Sequence, residues 1–298
     1  MLKFALFGNV YQQEKSASVR KLIDCLHQHG AELYVDKEYH DFLRAKEILE
    51  STGHREFTDF AQLPHCDFAI SMGGDGTLLK TASRVGARQT PIIGVNMGRL
   101  GFLADISASD IEAGIDAICQ GEYSVEDRAL ILVETNGEPI NGCPCALNDV
   151  AILKRDTASM ISIRTSINGE YLTTYQADGL IASTPTGSTA YSLSNGGPII
   201  VPRTGVLLLT PVAPHSLNVR PIVIPDSSQI ELTVSSRSHT FLVGIDGRSS
   251  TLPEGTTLRL RRAPYVARVV KRSGTRYFST LREKLMWGAD VRRKLGDN

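Results

Sequence analysis

The stretch Phe68-Ala69-Ile70-Ser71-Met72-Gly73-Gly74-Asp75-Gly76-Thr77 decides the fold reading. An apolar, strand-like run leads directly into a turn built on three glycines. From residue 77 to 85 apolar residues then recur at helical spacing. A strand ending on glycines and feeding a helix is the unit of parallel sheets covered by helices, and such sheets bind ligands beyond the carboxyl ends of their strands. Glycine allows positive φ and close approach of backbone to a phosphate. A helix N-terminus adds unpaired N–H groups and partial positive charge. Gly73, Gly74 and Gly76 are therefore read as a phosphate cradle. Asp75 needs its own explanation, because a carboxylate repels phosphate. It is read as the group that takes the proton of a hydroxyl attacking phosphorus, or that helps hold magnesium on a phosphoryl donor. A plain helix N-cap is the alternative. No Gly-Lys-Ser/Thr follows, and the GxGxxG spacing is absent, so this is neither a Walker loop nor a dinucleotide fingerprint.

The same alternation extends on both sides of the turn. Strand patterns at 3–8, 31–35 and 91–95 interleave with helical patterns at 16–29, closed by Gly30, and at 39–49. After a helical pattern at 108–119 the chain becomes β-rich. Short β-branched segments at 129–134, 160–167, 230–234, 241–245 and 257–261 are separated by turn signals, with Asn136-Gly137, Asn168-Gly169 and Asp246-Gly247 as hairpin candidates. Residues 279–287 return to helical spacing. The expectation is a mostly parallel α/β domain followed by a sandwich or layered β-domain.

Composition sets outer bounds. At about 150 residues per domain, 298 residues suit one large domain or two medium ones. Lys plus Arg number 32 and Asp plus Glu number 32, which disfavours a dedicated nucleic-acid binder. With 21% charged and 42% hydrophobic residues, the chain is neither a disordered polymer nor a membrane protein. No apolar run reaches the roughly 18 residues of a spanning helix, and no signal peptide is read. Five cysteines without a CxxC pair point to a reducing compartment and give no zinc signature. Cys143-Pro-Cys145 reads as two thiols near a turn. Seven histidines without an HxxxH pair give no metal site, and His215 reads as a structural hydrogen-bonding residue. The protein is expected in the cytoplasm.

Two downstream segments have ligand-binding chemistry of their own. Asn148 and Asp149 set a carboxamide beside a carboxylate, a pair suited to vicinal hydroxyls; an Asx turn is the other reading. Thr186-Gly187-Ser188-Thr189 reads as a glycine turn before a helix starting near Ala190. Its hydroxyls and N–H groups suit polar ligand edges, Ala190 leaves room for a flat ring, and Tyr191 can cover one. A Ser/Thr-rich cap with a core tyrosine is the other reading. Asp178 either binds an amide or closes a turn.

Several ordered motifs accompany the glycine turn. They are Asn96-Met97-Gly98-Arg99-Leu100-Gly101-Phe102-Leu103, Leu147-Asn148-Asp149-Val150, Asp178-Gly179-Leu180-Ile181, the run from Ser183-Thr184-Pro185 through Ala190-Tyr191-Ser192-Leu193-Ser194 to Asn195-Gly196-Gly197-Pro198, and Thr210-Pro211-Val212-Ala213-Pro214-His215. Together they make the chain resemble the NAD kinase family from about residue 68 to 288. The resemblance implies a Rossmann-like nucleotide-kinase domain formed by 1–105 with 276–298, and a β-sandwich domain formed by 106–275. It implies transfer of the terminal phosphoryl group of ATP or polyphosphate to the 2′-hydroxyl of the adenosine ribose of NAD, with Mg2+ accompanying the donor and Asp75 catalytic. Substrate contacts are implied at Gly76, Lys80, Asn148, Asp149, Ser159, Gln176, Asp178, Thr186, Thr189, Ala190, Tyr191, Ser192, Leu193, Ser194 and Arg248. A homodimer or homotetramer is implied, with no nucleic-acid or membrane partner. Asp149 stands where many members have Glu, Gln176 where a basic residue is frequent, Arg248 where Gln is common, and Ser159 where some have His. Lys80 reads equally as a solvated helix face, and Arg248 as a phosphate contact or a solvated side chain. A lipid kinase sharing the glycine turn and a non-catalytic NAD(P)-binding regulator are the alternatives.

Overall fold

The computed structural model describes residues 1–10, 16–49, 53–98, 101–137, 139–155, 159–274 and 277–288. Arg99 and Leu100 of the Asn96–Leu103 motif lie outside them. The chain forms two compact units. The first comprises Met1–Thr81, Thr90–Glu126 and the chain from Arg268; the second comprises Ala82–Gln89 and Asp127–Ala267.

In the first unit the elements are β1 (Lys3–Gly8), α1 (Ser16–Gln28), β2 (Glu32–Asp36), α2 (Lys37–Ala45), β3 (His54–Phe57), β4 (Phe68–Gly73), α3 (Asp75–Val85), β5 (Ile92–Asn96), β6 (Ile106–Ser107), α4 (Ile111–Cys119) and β7 (Tyr123–Arg128). The sheet order is β3-β2-β1-β4-β5, then the late strand Ala267–Arg272, then β7. Neighbours from β3 to β5 pair in parallel. The six residues of β4 are all buried, as an unbroken apolar run in a central parallel strand requires. Leu22, Leu26, Ile111 and Ile115 of α1 and α4 join Leu6, Ile70 and Ile93 in the core. The strand order reverses between β1 and β4: from β1 the chain steps outward to β2 and β3, and from β4 it steps the other way. The carboxyl ends of β1 and β4 thus flank a topological switch point, where open α/β sheets form their ligand crevice.

The second unit is two six-stranded antiparallel sheets. Its strands are β8 (Ile131–Thr135), β9 (Cys145–Ala146), β10 (Asp149–Lys154), β11 (Ile161–Ile167), β12 (Glu170–Ala177), β13 (Gly179–Ser183), β14 (Val206–Val212), β15 (Ile222–Pro225), β16 (Ile230–Ser235), β17 (Thr240–Ile245), β18 (Arg248–Pro253) and β19 (Thr257–Arg262), with one short helix, α5 (Tyr191–Ser194). One sheet runs β15-β14-β13-β10-β17-β18 and the other β12-β11-β16-β19-β8-β9. Ile152, Leu180, Phe241, Leu232 and Leu260 fill the core of this unit. The chain then returns to the first unit through β20 (Ala267–Arg272) and α6 (Tyr277–Leu285).

Asn168-Gly169 and Asp246-Gly247 are hairpin turns with positive φ at both residues, the type I′ signature. Asn136-Gly137 is not such a turn. Neither residue has positive φ, and Asn136 instead reaches across to Thr257: its N–H donates to the Thr257 carbonyl at 3.2 Å, and its Oδ1 accepts from the Thr257 N–H at 2.9 Å. Among the described residues, no helix is long and apolar enough to cross a membrane, and all five cysteines are free.

Candidate active site

Gly8 at the end of β1 and Asn9 just after it, with Gly74, Gly76, Thr77 and Lys80 after β4, line a cleft of about 430 Å³ at the switch point. The glycines serve this cleft through space and not through handedness. Gly73, Gly74 and Gly76 all lack positive φ, contrary to one reason given for them above. A β-carbon on Gly74 or Gly76 would meet no atom within 4 Å, so their bareness leaves the cleft open to a ligand. One on Gly73 would collide with the Thr77 side chain. Gly74 also supplies the carbonyl that starts α3, accepting from Thr77 and Leu78 N–H at 3.0 and 3.2 Å. Lys80, one turn further on, pairs with Glu38 at 2.7 Å on the cleft wall.

Asp75 is the first residue of α3, and its carboxylate turns away from its own helix. Oδ2 accepts from the Phe102 N–H at 2.9 Å and from Lys284 Nζ at 3.3 Å. Oδ1 accepts from the Leu103 and Ala104 N–H groups at 3.2 and 3.5 Å. A carboxylate offers about four acceptor positions, so all are committed. Asp75 is therefore no helix N-cap; it ties the 101–104 segment to the glycine turn. Gly101 permits this approach, since a β-carbon there would collide with the Asp75 carboxylate. Lys284 comes from α6 and also stands 4.2 Å from the Phe102 ring centre.

In the second unit, Asn148 and Asp149 sit at the start of β10, where Asp149 pairs with Ser183. Their backbone is clamped by Asp246, whose carboxylate accepts from the Leu147, Asn148 and Asp149 N–H groups at 2.7, 2.8 and 3.2 Å. Burial, with the Asp246 carboxylate alongside, pushes the Asp149 carboxyl up to about 7. Burial also raises Asp246, against the lowering effect of its three N–H donors. The Thr184–Thr189 turn packs directly on this pair. The Thr184 N–H donates to the Asn148 carbonyl at 2.9 Å, and its hydroxyl to the Leu147 carbonyl at 2.6 Å. A β-carbon on Gly187 would collide with the Asn148 backbone. Two motifs nearly forty residues apart in sequence are thus one structure.

The remaining candidates divide. Tyr191 and Ser194 are exposed beside this turn, and Thr186, Thr189, Ala190 and Leu193 are half-buried. Ser192 is committed to the interior, its hydroxyl bonded to Thr210 at 2.8 Å with both residues fully buried. Asp178 is paired with Lys154 at 2.7 Å. Gln176 lies on β12 in the other sheet, its side chain accepting from Ser162 at 2.9 Å. Ser159 is half-buried just before β11. Arg248 takes neither of the roles left open for it: its guanidinium donates to the Cys143 and Cys145 carbonyls at 2.9 and 3.1 Å. His215 is exposed, and its backbone N–H donates to the Gln176 carbonyl at 2.8 Å.

Comparison with known proteins decides the family. Residues 4–123 match the ATP-NAD kinase N-terminal domain and residues 147–272 the ATP-NAD kinase C-terminal domain. The chain belongs to the NAD kinase family. The NAD kinase of Bacteroides fragilis is 54% identical over 291 residues, covering 98% of this chain and all of that one. The NAD kinase of Porphyromonas gingivalis is 45% identical over 98% of this chain and all of its own. Among solved structures, an NAD kinase from Archaeoglobus fulgidus in complex with ATP aligns with a TM-score of 0.75 at 25% identity, covering 96% and 99% of the two chains. Yeast NADH kinase complexed with NADH aligns with a TM-score of 0.87 at 22% identity, covering 98% and 89%, and speaks for the fold. As a member of this family the protein is a kinase, an enzyme, and neither alternative reading is favoured.

Sequence reasoning passed over three residues, two that hold Asp75 in the first unit and one that holds Asn148 and Asp149 in the second. Asp246 reads in sequence only as a turn residue, Gly101 only as part of a motif, and Lys284 only as part of the helical pattern at 279–287. The expected magnesium would arrive on the donor phosphates, because this ion keeps several waters and takes only one or two carboxylates from a protein. Glu38 on the cleft wall and Asp75 beside it are the carboxylates that would be offered, and each has a lysine partner, Lys80 and Lys284.

Proposed function

We propose that the protein transfers the terminal phosphoryl group of ATP to the 2′-hydroxyl of the adenosine ribose of NAD, giving NADP. The 2′-oxygen bonds to the terminal phosphorus, the bridging P–O bond breaks, ADP leaves, and the hydroxyl proton passes to Asp75. The observation that carries this reading is the fixed carboxylate of Asp75 beside an open glycine cleft at a helix N-terminus. The cleft's N–H groups suit the donor phosphates. Asp is a weak base, with an ordinary pKa near ~3.9. In a loose phosphoryl-transfer transition state the proton leaves late and positioning supplies much of the rate. Two of the four bonds to Asp75 are long, those from Ala104 and Lys284, and these are the ones a ribose hydroxyl displaces.

Asn148 and Asp149 bind ribose hydroxyls in this reading, with the exposed Tyr191 beside them covering a ring. The relatives' names support NAD as acceptor, and the family's name supports ATP as donor; polyphosphate is the second donor to test. A coupled assay for NADP with each donor in turn tests the proposal. NADP formed from NAD and ATP is the expected result. Absence of NADP with both donors overturns it.

A further inference from the structure

The last turns of two helices in the first unit bring together residues with metal-ligating chemistry that the reaction does not use. Cys25 on α1 is followed four residues later by His29, the first residue past the helix, whose N–H still donates to the Cys25 carbonyl at 3.2 Å. The chain then closes, Ala31 N–H donating to the Leu26 carbonyl at 3.0 Å. The last turn of α4 carries Asp116 and, three residues on, Cys119. It closes likewise, with Glu122 N–H on the Ala117 carbonyl at 2.8 Å. Buried Leu22, Leu26, Ile115 and Ile118 belong to the core that holds both helices. His29 Nε2 lies 2.6 Å from Asp116 Oδ1, and Cys25 Sγ lies 3.8 Å from the same oxygen. All three ligand atoms fall within 4.8 Å of one another.

We propose that Cys25, His29 and Asp116 form a binding site for one divalent cation of the zinc type, clamping the ends of α1 and α4 together. Mixed sulfur, nitrogen and oxygen donors suit zinc. Bond lengths of roughly 2.0–2.3 Å place tetrahedral donors about 3–4 Å apart, so the His29–Asp116 pair opens slightly to admit the ion. One thiolate and one carboxylate cancel its double charge. Both helices present their C-termini, whose partial negative charge favours a cation. Binding releases the Cys25 thiol proton to solvent as the metal–sulfur bond forms. The site escapes a search for short motifs because its halves stand 87 and 91 residues apart.

Full-length protein, stripped with a chelator, is titrated with Co2+. The thiolate charge-transfer and tetrahedral ligand-field bands of Co2+ report its donors. One Co2+ per chain showing both bands, displaced by Zn2+, is the expected result. His29→Gln and Asp116→Asn, at positions outside the core, weaken binding by about tenfold or more, and Cys25→Ser abolishes the charge-transfer band. Absence of the bands overturns the proposal. So does a charge-transfer band that survives Cys25→Ser, or an affinity indifferent to both His29→Gln and Asp116→Asn.

Discussion

Asp149 and Asp246 show how one carboxylate can hold another in readiness. Asp246 spends its oxygens on three backbone N–H groups, so it fixes where Asn148 and Asp149 stand. Asp149, buried beside it, titrates near 7 instead of near the ~3.9 of a free aspartate. The folded state thus favours the neutral acid. That contribution to stability is complete below pH ~4 and is lost as pH rises through about 7. Asp149→Asn, neutral at every pH, should therefore raise the melting temperature at pH 8 and leave it nearly unchanged at pH 4. Thermal melts at the two pH values check this. Ligand binding has the opposite sign, since a carboxylate accepts two ribose hydroxyls better than a carboxylic acid does. KM for NAD should rise as pH falls below about 7 in the natural enzyme and stay flat in Asp149→Asn. The pair itself was legible in the sequence. Its clamp was not, because Asp246 stands 97 to 99 residues away and looked like any hairpin Asp-Gly.

The strand–turn–helix from β4 to α3 was legible because everything that makes it is local: the buried apolar run, the glycines, the helical spacing. What the elements do to one another was not. Gly101 looked like one letter of a motif, yet it is the space the Asp75 carboxylate occupies. Gly101→Ala should displace the Asp75 carboxylate and break its bonds to the Phe102, Leu103 and Ala104 N–H groups. Turnover should fall about as far as in an Asp75 variant, and the urea midpoint should fall as well, because those N–H groups lose their acceptor. Gly187 is the harsher case, because its β-carbon would strike the Asn148 backbone. Gly187→Ala should cost ~1–3 kcal/mol in urea denaturation, the usual range for overpacking, and should raise KM for NAD. Ser192 teaches the converse. It sits in the 183–198 run that helps carry the family resemblance, but its hydroxyl is bonded to Thr210 in the interior of the second unit.

The β12 and β15 strands are edges of the two sandwich sheets, and they expose Tyr171, Leu172 and Val223. Exposed apolar side chains on open edges are surfaces that seek cover. Together with the family resemblance they predict a dimer or tetramer. Light scattering should give a mass that is a multiple of the single chain, and Leu172→Glu with Val223→Glu should reduce it. Two units were legible from the change of pattern along the chain, but β20 returns to the parallel sheet from the far end of the sequence, which no local pattern announces. The central claim is that Asp75 takes the ribose proton. Binding and turnover of NAD in Asp75→Asn, measured side by side, test it most directly. Unchanged NAD affinity with turnover lowered by ~10²–10⁴-fold, the usual loss for a general base, is the predicted result; turnover near that of the natural enzyme would contradict it.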